Sequence, residues 1–446
     1  MLRRTHLSCL ALLSIVFACE AEPTTTNSPP CYTLADCLQQ AIANNTDVAV
    51  ARKRLEETAG AIVEARAGYL PNLTSSASYQ RLETSYANLG GTADQRPELW
   101  NIAIRFTENI YSAGATAGRM TIARLNRSTR LLDYEVTVDR VVMDTRIAFY
   151  DILQNQAHVA VHQEAVSFLE NELTNQRNRL QLGAGDRFQA LRAEVNLALE
   201  STGLVEAQAK LHNAHLRLGE LLASPAVGAN TTPFTIVGEL TCAPQSLDLG
   251  TCLNRALELR PELRARANEV STQRQQLIVD RSAMRPRIDL FVGYDVVNEP
   301  NRLASQTYYN GALGGIAVTW PWFDGFATKG RIQATRARIE ADELAQIATC
   351  RSIEAEVVRA FHDLEQAEQT VTAQHKNVAL AEESLQLAKS SVGLGSATQL
   401  ELLQAHLDLT RAQTAELSAR FGYNTALASL QRAVSSKFTI LTGPTP

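Results

Sequence analysis

From about Ala115 to Gln181 apolar and polar residues keep helical spacing for some 65 positions. At ~1.5 Å per residue this is a rod of roughly 100 Å, longer than an ordinary soluble domain needs. It ends in "RLQLGAGD" (Arg179 to Asp186), after which Phe188, Leu191, Val195, Ala198, Thr202 and Val205 recur at spacings of three and four. Such spacing predicts a coiled-coil seam on a returning helix. Leu182, Gly183, Ala184 and Gly185 therefore read as the tip of an antiparallel helical hairpin. A second long run ends 212 positions later in "KSSVGLGSAT" (Lys389 to Thr398), placing Gly393, Leu394, Gly395 and Ser396 at a second tip. The seam after it is Leu400, Leu403, Leu407, Thr410, Thr414, Leu417 and Phe421.

Ahead of each long helix the period drops to two, the signature of strands with one apolar face. Leu73, Ser75, Ala77 and Tyr79 alternate with polar residues, and Trp100, Ile102, Ile104 and Phe106 form the return strand. In the second copy Ile288, Leu290, Val292, Tyr294 and Val296 alternate, answered by Ile316, Val318, Trp320 and Trp322. The two β-hairpins are expected at 71–111 and 286–323, with Tyr69, Tyr111, Trp320 and Trp322 near strand ends as a membrane-interface girdle requires. A helix is expected from Leu34 to Gly68, ending before Pro71 because a residue preceding proline avoids helical geometry.

The chain is thus a tandem repeat. Leu34-Ala35-Asp36-Cys37-Leu38 aligns with Leu249-Gly250-Thr251-Cys252-Leu253 at an offset of 215. Ala115-Thr116-Ala117-Gly118-Arg119 aligns with Ala327-Thr328-Lys329-Gly330-Arg331 at 212. The expected division is a signal peptide (1–18), a tether (19–33), a first repeat (34–223), an inter-repeat segment (224–248), a second repeat (249–434) and a tail (435–446).

Bulk properties narrow the function. Net charge is −5 over 446 residues, with no basic block to suit nucleic acid. Arg3 and Arg4 followed by apolar Leu7 to Phe17 read as an export signal too short to span a bilayer. Val16-Phe17-Ala18-Cys19 resembles a lipobox, which makes Cys19 a lipidation candidate; ordinary cleavage after Ala18 or Ala21 is the alternative. No later run is apolar enough for a helical span, leaving a soluble, anchored or β-barrel protein. Cys31 with Cys37, and Cys242 with Cys252, flank helix starts and are disulfide candidates in an oxidising compartment. Their spacings match no zinc motif, and the pairs His158/His162 and His212/His215 read as surface residues, so no metal or cofactor is expected. No catalytic constellation stands in a fitting context, so the chain is not read as an enzyme.

With "LPNL" (Leu70 to Leu73), "WPWFDGFATKGR" (Trp320 to Arg331), the two tips and the duplication taken together, the chain resembles the TolC family of outer-membrane efflux proteins. The resemblance implies a mainly α fold with a pair of β-hairpins: an elongated coiled-coil barrel of long helices plus four transmembrane strands per chain. It implies a homotrimer closing a twelve-stranded barrel in outer-membrane lipid of a Gram-negative bacterium. Its implied partners are a periplasmic adaptor at the tips and an inner-membrane pump, in tripartite efflux or type I secretion. Glu401 stands where the family places its first gate acid; the second falls on Gln404, a departure whose first-repeat equivalent is Arg192. The resulting expectation is a periplasmic gate of Glu401 ion-paired with Arg192 or Arg187, beside Asp186. The competing reading is an exported coiled-coil scaffold or adaptor without a pore.

Overall fold

The computed structural model describes residues 31–83, 98–183, 185–223, 234–243, 247–298, 307–394 and 396–434. The expected signal peptide, Cys19, most of the tether, tip residues Ala184 and Gly395 and the tail 435–446 lie outside the described residues. The first half runs β1 (Cys31–Tyr32), α1 (Leu34–Asn44), α2 (Thr46–Ala67), β2 (Asn72–Arg81), β3 (Glu98–Tyr111), α3 (Ala115–Gln181), α4 (Arg187–Leu221) and β4 (Thr235–Ile236). The second runs α5 (Leu249–Leu259), α6 (Pro261–Ser282), β5 (Arg287–Asn298), β6 (Tyr308–Thr319), α7 (Ala327–Gly393) and α8 (Gln399–Ala433). Helix lengths of 11, 22, 67 and 35 residues recur in the same order in both halves. In each half the long helix pairs with the 35-residue helix on one side of its length and with the two shorter helices towards the sheet.

The single helix expected from Leu34 to Gly68 is two helices. Asn45 leaves helical geometry (φ −59°, ψ 132°), and its side-chain oxygen accepts from the N–H groups of Asp47 and Val48 to start α2. At the equivalent position in the second half stands Arg260 (φ −58°, ψ 120°), where the following Pro261 disfavours helix. Arg260 is 2% exposed, and its guanidinium donates at 3.0 and 2.5 Å to the Glu356 carboxylate on α7.

Each long helix starts after two consecutive residues in the left-handed region, Ala113 (φ 51°) with Gly114 (φ 90°) and Gly325 (φ 66°) with Phe326 (φ 69°). This sharp reversal turns the chain from strand to helix at the same place twice.

The seam expected on α4 is not the face turned to α3. Ala190, Ala193, Leu197, Glu200, Leu204, Ala207, Leu211, Ala214 and Leu218 are the residues turned inward, an unbroken 3–4 heptad pattern towards α3. Phe188, Leu191, Val195 and Val205 are each more than half exposed. Both faces carry apolar residues at heptad spacing, so periodicity alone does not choose between them. On α8 both stripes are covered. Leu402, Ala405, Leu409, Glu416, Tyr423 and Leu430 face α7, while Leu403 and Thr410 are buried towards α3, where Phe168 stacks on His406 at 3.8 Å.

Two cores mirror the duplication. Cys37, Ala41, Phe149, Ile152 and Leu218 fill one, and Cys252, Ala256, Leu364, Tyr423 and Leu430 the other. The inter-repeat segment links them. Phe234 and Ile236 are buried in the first core and Leu240 packs on it, while Cys242 and Leu247 pack on the second. The strand pair β1–β4, parallel and two residues long, falls where the sequence suggested only tether and linker.

The expected disulfides are not formed: Cys31, Cys37, Cys242, Cys252 and Cys350 are free thiols. Cys37 and Cys252 are core side chains rather than staples, 0% and 5% exposed, and burial pushes the Cys37 thiol up to about 12. Cys31 sits instead on β1, with its sulfur 2.9 Å from the Thr235 hydroxyl.

Candidate functional site

β2, β3, β5 and β6 form one antiparallel sheet in that order, so β2 and β6 are open edges. Its register aligns the apolar sets of both hairpins. Leu73, Phe106, Val292 and Gly314 form one cross-strand row, and Ser75, Ile104, Tyr294 and Ala312 the next. Side chains alternate faces along a strand, so these rows share one face with Ile102, Leu290, Ile316 and Val318. The apolar face is unpartnered among the described residues: Leu73, Ile102, Ile104, Val292, Ile316 and Val318 are 50–69% exposed.

The opposite face is polar. Its rows include Thr74 with Arg105, and Ser76 with Ala103 and Asp295. Arg105 reaches Asp295 at 3.8 Å, Asn109 donates to Asp289 at 2.7 Å, and Arg287 lies 2.9 Å from Asp289. Asn298 joins the two hairpins, accepting from the Trp100 N–H at 2.7 Å and donating to the Glu98 carbonyl at 2.5 Å.

Aromatic side chains mark both ends of the sheet. Tyr69, Tyr111, Trp320 and Trp322 are exposed at the helical end, with the two tryptophans stacked at 4.3 Å. Tyr79, paired with Trp100, and Tyr308 lie at the other end. No helix among the described residues is long and apolar enough to cross a membrane.

At the first hairpin tip, Leu182 N–H donates to the Asn178 carbonyl at 3.0 Å and Gly183 turns left-handed (φ 72°). Gly185 is the more constrained glycine, since a Cβ there would sit 2.6 Å from the Leu180 nitrogen. Asp186 caps α4 by accepting from the Phe188 N–H at 3.0 Å. At the second tip, beyond Gly393, Ser396 N–H donates to the Ser391 carbonyl at 3.0 Å. Leu182 and Leu394 occupy equivalent positions and are 83% and 85% exposed.

The expected gate residues are not brought together within the chain. Glu401 completes a capping box on α8: its carboxylate accepts from the Thr398 N–H at 3.0 Å, and the Thr398 hydroxyl accepts from the Glu401 N–H at 3.3 Å. Arg187 and Arg192 lie on α4, exposed, and pair with no acid among the described residues. Gln404 donates to Asp408 at 3.0 Å. Of the histidines, His162 shares a 2.6 Å contact with Glu200, and His215 faces the Leu211 carbonyl at 2.9 Å.

Sequence reasoning missed the pairing of Gly118 with α6. A Cβ on Gly118 would lie 2.8 Å from Val279 Cγ2, so only glycine lets α3 approach α6 there. Its duplicate Gly330 has nothing within 4 Å. The repeated "ATAGR/ATKGR" was the available signal.

A model of the outer membrane efflux protein family matches residues 37–224 and 252–436. Among curated proteins the chain is 24% identical over 342 residues to protein CyaE of Bordetella pertussis, covering 75% of this chain and 69% of that one. It is 21% identical over 394 residues to outer membrane efflux protein BepC of Brucella suis, covering 87% and 82%. Among solved structures, the Campylobacter jejuni CmeC outer membrane channel superposes with a TM-score of 0.78 at 15% identity, over 90% of this chain and 85% of that one.

Proposed function

This chain belongs to the outer membrane efflux protein family, and from that premise we propose how it builds a duct. The protein is an outer-membrane channel-tunnel, not an enzyme. Three copies close a twelve-stranded barrel with apolar faces to lipid and polar faces to the lumen, continued by a tunnel of helices in the periplasm. The observation that carries this reading is the two-faced sheet with two open edges. A scaffold has no use for an exposed apolar face on one side and a hydrogen-bonded polar face on the other. An open edge cannot sit in lipid, so closure needs further chains. Strands of 10–14 residues cover the ~30 Å hydrocarbon core when tilted.

Internal duplication supplies the geometry of closure. Within the chain β3 pairs with β5, so the equivalent junction is β6 with β2 of the next chain. The α3–α8 contact has as its equivalent α7 with the next chain's α4, whose Leu191, Val195 and Leu199 are exposed. Phe168, which stacks on His406, corresponds to Leu380, 55% exposed. Gly118 meets α6; Gly330 then receives the neighbour's α2.

The exposed apices at Leu182 and Leu394 offer a periplasmic adaptor apolar docking points, and an inner-membrane pump drives export through it. With its carboxylate engaged at the start of α8, Glu401 gates only against a neighbouring chain's Arg187 or Arg192, beside Asp186. Acylation at Cys19 would tether the N-terminus to the outer membrane.

Reconstitution into planar bilayers tests the reading. Trimers extracted with detergent and stepwise ion conductance are expected. A detergent-free monomer without conductance would leave the scaffold reading standing instead.

A further inference from the structure

Where the sheet meets the helices, on its polar face, lies a cleft of ≈ 750 Å³ lined by Arg119, Arg285, Arg287 and Arg331, with Asp280 as its one acidic residue. The charges are not balanced. Asp280 is engaged, accepting from Gln276 at 2.9 Å and from the Thr335 hydroxyl at 2.6 Å. Arg287 shares Asp289. Arg331 donates to the Thr328 hydroxyl at 2.8 Å, and Asp324, whose pKa its charge helps to lower, is held by the Thr328 N–H at 2.8 Å. Arg119 and Arg285 are exposed and have no acidic partner among the described residues.

The arrangement is duplicated. Arg119 and Arg331 hold equivalent places, each after a glycine, and both repeats aim their arginine into this one cleft. The close α3–α6 approach at Gly118 sets Arg119 beside the end of α6.

We propose that this cleft binds an oxyanion, the phosphate or carboxylate group of a solute passing from the helical tunnel into the barrel. The proposal rests on the lumen assignment above. Guanidinium forks match oxyanions in geometry as well as charge. Facing the polar rather than the apolar side of the sheet, the cleft favours a solute over a lipid headgroup. Wall charge of this sign also raises the local concentration of anions.

Inorganic pyrophosphate titrated calorimetrically into the detergent-solubilised protein is expected to bind, at least tenfold more tightly to the wild type than to the double variant Arg119→Gln/Arg285→Gln. Both substitutions are at exposed positions, and size exclusion checks that assembly is unchanged. No binding to the wild type, or equal binding to both, overturns the proposal. Pyrophosphate binding that is lost in nanodiscs containing phosphatidylglycerol but kept in phosphatidylcholine nanodiscs would assign the cleft to lipid and overturn the solute assignment. In bilayers under a KCl gradient, the variant's reversal potential should move towards cation selectivity. Conductance with unchanged selectivity counts against the cleft, whereas absent conductance in both proteins counts against the channel reading and leaves the titration to decide.

Discussion

His406 shows what one side chain can do in a long interface. It is 7% exposed, stacked on Phe168, and neither ring nitrogen has a hydrogen-bond partner among the described residues. Burial, with Lys389 nearby, lowers its pKa from 6.5, against the opposing pull of Glu164 and Glu200. The unfolded chain therefore takes up a proton before the folded one. Stability should be full above pH about 6.5 and fall as the pH drops below it. In His406→Leu that part of the acid sensitivity should vanish, as read from melting temperatures between pH 7.5 and 5. Glu416 works on a lower window. Burial would raise its pKa, but hydrogen bonds from Arg420 and His375 prevail and hold it below 4.5, so its contribution is lost only as the pH falls beneath that value. At the first tip, Gly185→Val should distort the turn because the new Cβ meets backbone at 2.6 Å. Efflux in a pump-complemented strain should drop while the trimer still assembles.

At the scale of elements, the break between the two short helices of each half is built twice by different chemistry. Asn45 caps with its own side chain, whereas Arg260 is fixed by Pro261 and by Glu356. Removing one partner of a buried ion pair strands the other. Glu356→Ala leaves Arg260 inside with only Glu262 at 3.6 Å, and should cost on the order of 3 kcal/mol. Arg260→Met leaves a carboxylate that water can reach, and should cost less. Urea melts of the two variants compare them directly. The long helices, hairpin strands and tips were legible in the sequence because period, glycine and length agreed there. The break at Asn45 was not, since asparagine is as common in turns as in helix ends and no proline follows it. The face of α4 turned to α3 was missed for a different reason: Ala190, Ala193 and Ala207 look less like a core than Phe188, Leu191 and Val195, yet close helix approach selects the small residues. The arginine cleft was invisible because Arg119 and Arg285 are separated by most of a repeat and meet only through the fold.

For the whole molecule, duplication makes one chain a template for its own assembly. Gly118 is covered and Gly330 is not, though the sequence around them is nearly the same. Gly330→Leu should therefore leave the single chain's helical circular dichroism intact and abolish the trimer in light scattering. Gly118→Leu should damage folding itself. Equal trimer content for Gly330→Leu and wild type would remove that surface from the interface.

The recurrence of 67- and 35-residue helices in both halves carries a further consequence. Because the seams mesh in heptads, reach is quantised: the body can grow or shrink only by about 10 Å steps, seven residues in each of α3, α4, α7 and α8 at once. A seven-residue insertion in one hairpin alone would leave its tip standing proud of the others, and a four-residue one would turn its apolar stripe out of mesh. Such a molecule spans a fixed gap as a ruler does, and any partner that meets both tips must be cut to the same length.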